Sequence, residues 1–351
     1  MKLLYLCLVG VFCMACSQNA AVSHRNLVEA FPVESRLPVE PIEVEPVLFF
    51  LGDMLMVDNY LVTVDMKNDV FFQFFQLPDL NYIGSSKRRG QGPDEEIAVL
   101  PLLHKVDATS FAYRTLDKLK IVTFNAETGA LDTNKEFLIP EKFSSVLNTA
   151  VFEKALVGYD VNGMSDTEFK KMSLPNLTVE DFGPNFPEVS FQVETEMKNR
   201  VFSKVLASHP AGNLLVSIYD KLPLLRIYNA EGEVIAESEF QNHQVAPVAY
   251  GKDKLEGVDI SATTINYLKV KVTDKFIYGL YAGKTHQELN TDLGISDYGN
   301  EIHLWDWQGN PVARIFLDRG YSNFAVANDG SYLLLYTYGT DHLLYKMNLD
   351  I

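Results

Sequence analysis

Seven histidines, three cysteines and 46 acidic residues are the groups in this 351-residue chain able to ligate a metal, move a proton or attack a substrate. Their spacing gathers none of them into a local site. His24, His104, His209, His243, His286, His303 and His342 never fall two apart on a strand or four apart on a helix, the spacings that set two ligands on one face. GISDYG at 294–299 has no Gly two residues after Ser296, so it is not a nucleophile elbow. With so many Asp and Glu, adjacent acids arise by chance and mark no acid–base pair. The residues thus nominate no catalytic group, no metal ligand and no cofactor.

Two clusters stand out. Gly90, Gly92 and Pro93 imitate a phosphate-cradling loop, but Asp94, Glu95 and Glu96 follow where a helix should open and would repel an anion. A tight connection is the expected role, with Gly supplying unusual backbone angles. Lys87, Arg88 and Arg89 are a basic triplet in a chain of net charge −16. They read either as ion pairs with Asp94, Glu95 and Glu96 or as part of a binding face. Trp305 and Trp307 read as packing between repeats, with a carbohydrate-stacking platform as the alternative.

Cys7, Cys13 and Cys16 all lie in the first sixteen residues. Met1 to Ala15 carries one positive charge at Lys2, an apolar run and a small residue before Cys16, the pattern of a secretory signal ending at a cysteine. The run is shorter than the roughly 20 residues that cross a bilayer. It resembles a bacterial lipoprotein signal, which implies a lipid on Cys16 and attachment to a membrane, the outer membrane being expected. Residues 16–25 then form a tether. No thiol remains beyond Cys16 for a disulfide or a nucleophile. The acidic balance excludes a nucleic-acid partner, which needs basic residues to displace counterions.

The rest of the chain must position whatever binds. Residues 213–240 are a clear antiparallel meander: alternating runs at Leu214–Tyr219, Leu224–Tyr228 and Val234–Phe240, separated by turns rich in Asp, Gly and Pro. The same order recurs from Phe49 to the C-terminus. Corresponding turns (LPDLNYI, FNAETGAL, LPNLTVE, YNAEGEVI, WDWQGNPV) recur roughly every 47 to 55 residues, except across a fifth copy interrupted at 282–300. Such a meander cannot bury its face alone, so copies must stack. The sixth copy has three strands, and residues 26–42 form a strand-like stretch with no neighbour. The expectation is an all-β, six-bladed β-propeller of four-stranded antiparallel blades over 26–351, closed by the N-terminal strand, with two or three of Leu27, Phe31, Val33 and Leu37 buried.

The lipoprotein signal, the length and above all KRRGQGPDEE at 87–96 make the chain resemble the TolB-like six-bladed β-propeller lipoproteins of Bacteroidetes-type bacteria, which carry a G-x-G-P-[GD]-E segment there. The resemblance covers the whole mature chain and implies the fold and an envelope location, but no reaction and no ligand. The expected function is a monomeric, lipid-anchored module that binds a protein, a small molecule or a carbohydrate. The alternative is an envelope hydrolase or lyase with acids meeting at the channel. Strand parity puts the 87–96 connection and the 282–300 interruption on one face of the ring, so Lys87, Arg88, Arg89, His286 and Tyr298 are the candidate binding face.

Overall fold

The computed structural model describes residues 25–161, 166–189, 193, 195–241, 263–293, 298–338 and 344–350. Cys16 and the signal lie outside them. Six sheets form a ring, at 51–96, 103–138, 146–185, 204–240, 264–321 and 323–348. Within each, the strands of the meander pair antiparallel from the channel outward, and in the first Glu95–Glu96 adds a short parallel edge beside Asn81–Arg89. The innermost strands are Leu51–Val57, Leu103–Lys105, Val146–Phe152, Lys204–Ser208, Thr264–Val272 and Asn323–Val326. Leu51–Val57 is buried on both faces and reads as a near-continuous apolar run, whereas the outer strand Ala130–Leu138 is mostly exposed and polar. Turns between third and fourth strands place Gly129 at φ 66° and Gly232 at φ 83°, a region that L side chains avoid.

The blades are held to one another by six apolar clusters, one at each interface. Phe72, Phe74, Phe111 and Tyr113 join the first two blades; Val216, Ile227, Tyr267 and Trp305 join the fourth and fifth; Leu51, Met54, Leu334 and Tyr336 join the sixth to the first. Each buried large side chain contributes roughly 1.5–3 kcal/mol. Trp305 is therefore a packing residue between blades, as is Trp307, whose indole N–H donates to Thr273 O at 3.1 Å.

The N-terminal stretch does more than close the ring. Glu40–Ile42 pairs antiparallel with the last strand, Leu344–Asn348, and supplies the fourth strand that the sixth blade lacks. Before that, Arg25–Val28 adds a parallel fifth strand to the fourth blade and Val33–Arg36 one to the fifth. The expected single closing strand is thus a strap over three consecutive blades. Its buried anchors are Val28 and Phe31, with Phe31 packed between Phe240, His303 and Trp305 at 4.7–5.4 Å. Of the four candidates, Phe31 is buried and Leu37 packs at the edge of the cluster between the fifth and sixth blades, while Leu27 and Val33 face solvent. Arg25–Val28 and Val33–Arg36 are each an outermost strand with solvent beyond the free edge: only Val28 of the first and no residue of the second is buried.

Candidate functional site: a channel cavity and an apolar rim

Because strands alternate in direction, the start of every inner strand, the link into each blade and each second-to-third-strand loop share one face, here the entry face. The first-to-second and third-to-fourth turns share the other, the turn face. The two faces differ in chemistry.

A cavity of about 440 Å³ occupies the channel and reaches the turn face, lined from all six blades. Its walls include Leu55, Leu102, Leu206, Val272 and Val326, and its mouth includes Ala108, Pro210 and Asn328. Three turns bond in sequence around that mouth: Asn328 Nδ2 donates to Asp58 O at 3.1 Å, and Asp58 N donates to Ala108 O at 2.9 Å.

Polar groups knit the inner strands together along the cavity. Asp53 accepts from Lys271 Nζ at 2.6 Å, from its neighbour Met54 N at 2.9 Å and from Leu103 N at 2.8 Å. Gly52 O accepts from Lys269 Nζ at 3.1 Å and Asn323 Nδ2 at 3.0 Å. His104 Nε2 lies 3.2 Å from Thr149 Oγ1, and Asn148 Nδ2 donates to Lys204 O at 2.9 Å. Burial alone would raise the Asp53 carboxyl, but the ammonium groups of Lys271 and Lys269 hold it below the usual range. Burial pushes His104 down to about 4; Asp53 opposes the shift, and Lys271 and Arg114 add to it. His104 is thus neutral near pH 7.

A second buried network joins the third and fourth blades. Glu168, fully buried, accepts from Lys204 at 2.7 Å, Arg226 at 3.1 Å and Tyr228 at 2.7 Å, and from Tyr219. Burial works against its charge, yet Lys204 and Arg226 keep it ionised. Every carboxylate oxygen is occupied by a donor from the chain, so the cluster fastens blades. Among the described residues, no three His, Cys, Asp or Glu converge as a ligand set.

The entry face carries six of the ten exposed large apolar side chains among the described residues, with Tyr82 and Ile235 on the turn face and Leu27 and Val33 on the strap. The six are Val47, Phe49, Ile97, Leu116, Leu138 and Leu147, and strand polarity puts all of them there. Ile97, Leu116 and Leu138 are 61–70% exposed. Four of the six, Ile97, Leu116, Leu138 and Leu147, lie on segments tied directly or through Asp117 to one buried residue, Arg114. Its carbonyl accepts from Leu100 N at 2.8 Å, and its guanidinium donates to the carbonyls of Phe143, Ser144 and Val146. Ile139 N donates to Asp117 O at 2.7 Å, bringing Leu116 and Leu138 together. Arg114 thereby draws the links before and after the second blade against that blade's own loop.

The residues singled out by sequence lie on this face by strand parity, and none lines the cavity. Lys87, largely buried, is 3.9 Å from Asp94; Arg88 is exposed; Arg89 lies 4.1 Å over Phe71 and donates to the carbonyls of Met66 and Asn68. Only Lys87 thus pairs with an acid as expected, and Glu96 instead binds Lys120 at 2.7 Å and Tyr113 at 2.9 Å in the second blade. Glu95 folds back to accept from Gly92 N at 2.8 Å, and a Cβ on Gly90 would meet its carboxylate at 1.9 Å. The glycines of GQGPDE therefore make room for a carboxylate; neither has the positive φ that was the expected reason for them. His286 opens a helix, His286–Leu293, capped reciprocally by Thr285 and Glu288. Tyr298 is buried, its hydroxyl donating to Tyr338 O at 3.1 Å. Sequence reading missed Asp53, His104, Lys269 and Lys271, although polar residues inside the first strand of successive repeats were a visible signal.

Six blades, a strapped ring and a lined channel define a six-bladed β-propeller. The model of the family described as TolB-like 6-blade propeller-like matches residues 52–329, and the chain belongs to that family. Two solved structures share the fold. A member of the duf4221 family from Bacteroides vulgatus superposes with TM-score 0.59 at 9% identity, covering 90% of this chain and 96% of its own. A Bacteroides fragilis protein titled "Putative exported protein" superposes with TM-score 0.53 at 12% identity, covering 92% and 99%. No curated protein matches the chain.

Proposed function

We propose that this is a monomeric binding propeller, held outside the cytoplasm by a lipid on Cys16, the outer membrane being the expected site, and that it docks a partner protein on the entry face. One observation carries the reading: six of the ten exposed large apolar side chains among the described residues lie on that face, four of them on segments tied to Arg114. Monomeric proteins rarely leave such groups contiguous unless they serve an interface. Exposed Asp94, Asp117 and Glu141 border the four against one exposed base, Lys142, so the border is acidic on balance and the matching surface is apolar and carries basic residues. Arg88 and the helix opened by His286 belong to the same face and would set orientation. The similarity to a protein titled as exported supports the location. The hydrolase or lyase reading is disfavoured because Asp53 and Glu168 are already saturated by donors from the chain.

A photocrosslinking residue placed in turn at Leu116 and Leu138, and for comparison at Tyr82 and Ile235 on the turn face, tests this in intact cells. Discrete adducts from the first pair alone are expected. Adducts from the second pair alone, or from neither, would overturn the docking face. Recovery of Cys16→Ser in the membrane fraction at the wild-type level would remove the anchor.

A further inference from the structure

The docking reading makes no use of the cavity beneath the turn face. Its volume, about 440 Å³, lies within the range of sites that enclose a small molecule. Leu55, Leu102, Leu206, Val272 and Val326 make most of the wall aliphatic, and Ala150, Ala207 and Ala325 keep it open where larger side chains would fill it. Among the described residues no Phe, Tyr or Trp lines it, so the wall offers no aromatic face for a ring to stack on.

The polar groups of the wall are engaged by the chain itself. Asp53 accepts from Lys271 and from the amides of Met54 and Leu103. Lys269 donates to Gly52 O and, with Lys271, sets its charge against Asp53. Asn148 donates to Lys204 O, Ser208 Oγ donates to Val151 O at 2.7 Å, and His104 pairs with Thr149. At the mouth, Lys105 donates to Asn328 and stands among acids: Asp58 and Asp107, with Asp274 and Asp329 beside Lys275 in the adjoining pocket. Cavity and mouth together thus set four ammonium groups, Lys105, Lys269, Lys271 and Lys275, against these five carboxylates. So nearly balanced a lining leaves no large charge of either sign for an ion to neutralise. Water in such a space has few polar partners, and displacing loosely held water by an apolar group is favourable.

We propose that the cavity binds a small neutral aliphatic molecule, held by contact with the wall rather than by charge. At about 30 Å³ for each water-sized unit, its upper size is roughly fifteen heavy atoms. An ion of the same shape is disfavoured in either pose. Deep in the cavity it gives up hydration where the charged groups are already matched; with its charge left at the mouth, it withdraws its apolar body from the wall. The site is independent of the entry face.

Titration calorimetry on the folded protein with butanol, hexanol, octanol, octanoate and octylammonium tests it. Saturable octanol binding, one molecule per chain, is expected, with affinity rising about fourfold per methylene from butanol to octanol. Octanoate and octylammonium should each bind roughly tenfold more weakly than octanol. Ala207→Phe, which fills the wall, should abolish octanol binding. Leu116→Asp, on the opposite face, should leave it unchanged, which separates the cavity from the apolar patch of the docking reading. In the wild-type protein, no saturable octanol binding, an affinity that does not rise with chain length, or either ion matching octanol overturns the proposal whether or not the variants fold. So does octanol affinity unchanged in folded Ala207→Phe or lost in folded Leu116→Asp.

Discussion

The channel wall and the entry face spend their unusual residues in opposite ways. Inside the channel, charged side chains are drawn inward and satisfied by neighbouring blades: Asp53 by Lys271 and Leu103 N, His104 by Thr149. At the entry face, large apolar side chains are turned outward although buried positions for such residues exist throughout the ring. Inward polarity stabilises the ring by tying neighbouring inner strands. Outward apolarity contributes little to the ring and is readily explained by a partner. A change in the channel wall should therefore act on stability, and a change on the entry face on association.

Asp53→Ala should have the largest effect. It leaves Lys271 buried without its carboxylate and Leu103 N without its acceptor, and breaking such a buried pair costs about 3–5 kcal/mol. Denaturant unfolding should show the free energy of unfolding reduced by that amount, through a lower midpoint at unchanged slope. A shift below about 1 kcal/mol would mean that water replaces the carboxylate, and that the channel around Asp53 is more open than its geometry indicates.

The pH dependence sharpens the same point. Burial holds folded His104 at about 4 against 6.5 in the unfolded chain, so its contribution is complete above pH 6.5. It is lost as pH falls toward 4, because the unfolded chain gains a proton that the folded one refuses. The full loss is on the order of 3 kcal/mol. His303, also lowered by burial, acts in the same direction. The melting temperature should drop between pH 7 and 5, and His104→Gln should flatten part of that slope.

Gly90→Ala is expected to cost about 1 kcal/mol, because the new methyl displaces the Glu95 carboxylate from Gly92 N. Glu95→Ala should cost a similar amount, and the double variant no more than either, since both remove one interaction. Additive losses in thermal melts would show that Gly90 matters for another reason.

Leu116→Asp should have the smallest effect on stability, within about 0.5 kcal/mol, as for most exposed positions. A larger loss would turn the entry-face patch into part of the core and end the contrast with the channel wall.

The ring itself was readable because its signals are local: alternation within strands, Gly and Asp at turns, and a repeat one strand short. The strap was readable only at its end. Residues 40–42 fill a vacancy that counting strands exposes, whereas residues 25–28 and 33–36 lie along edges already complete, and strands this short carry no pattern naming a distant partner. The helix at 286–293 was announced by Thr285 and Glu288 yet read as a plain interruption. Of the candidate face, the location of the odd loops follows from strand parity. What each residue does there depends on contacts distant in sequence, such as Arg89 over Phe71 and Tyr298 against Tyr338.

The most direct test of the contrast is amide hydrogen exchange on the full-length protein in native envelope membranes, compared with the same protein purified. Slower exchange in the membranes is expected at 97–100, 114–118 and 138–147, with the turns at 106–109, 208–212 and 327–331 unchanged. Protection confined to those turns, or none on either face, would contradict the account.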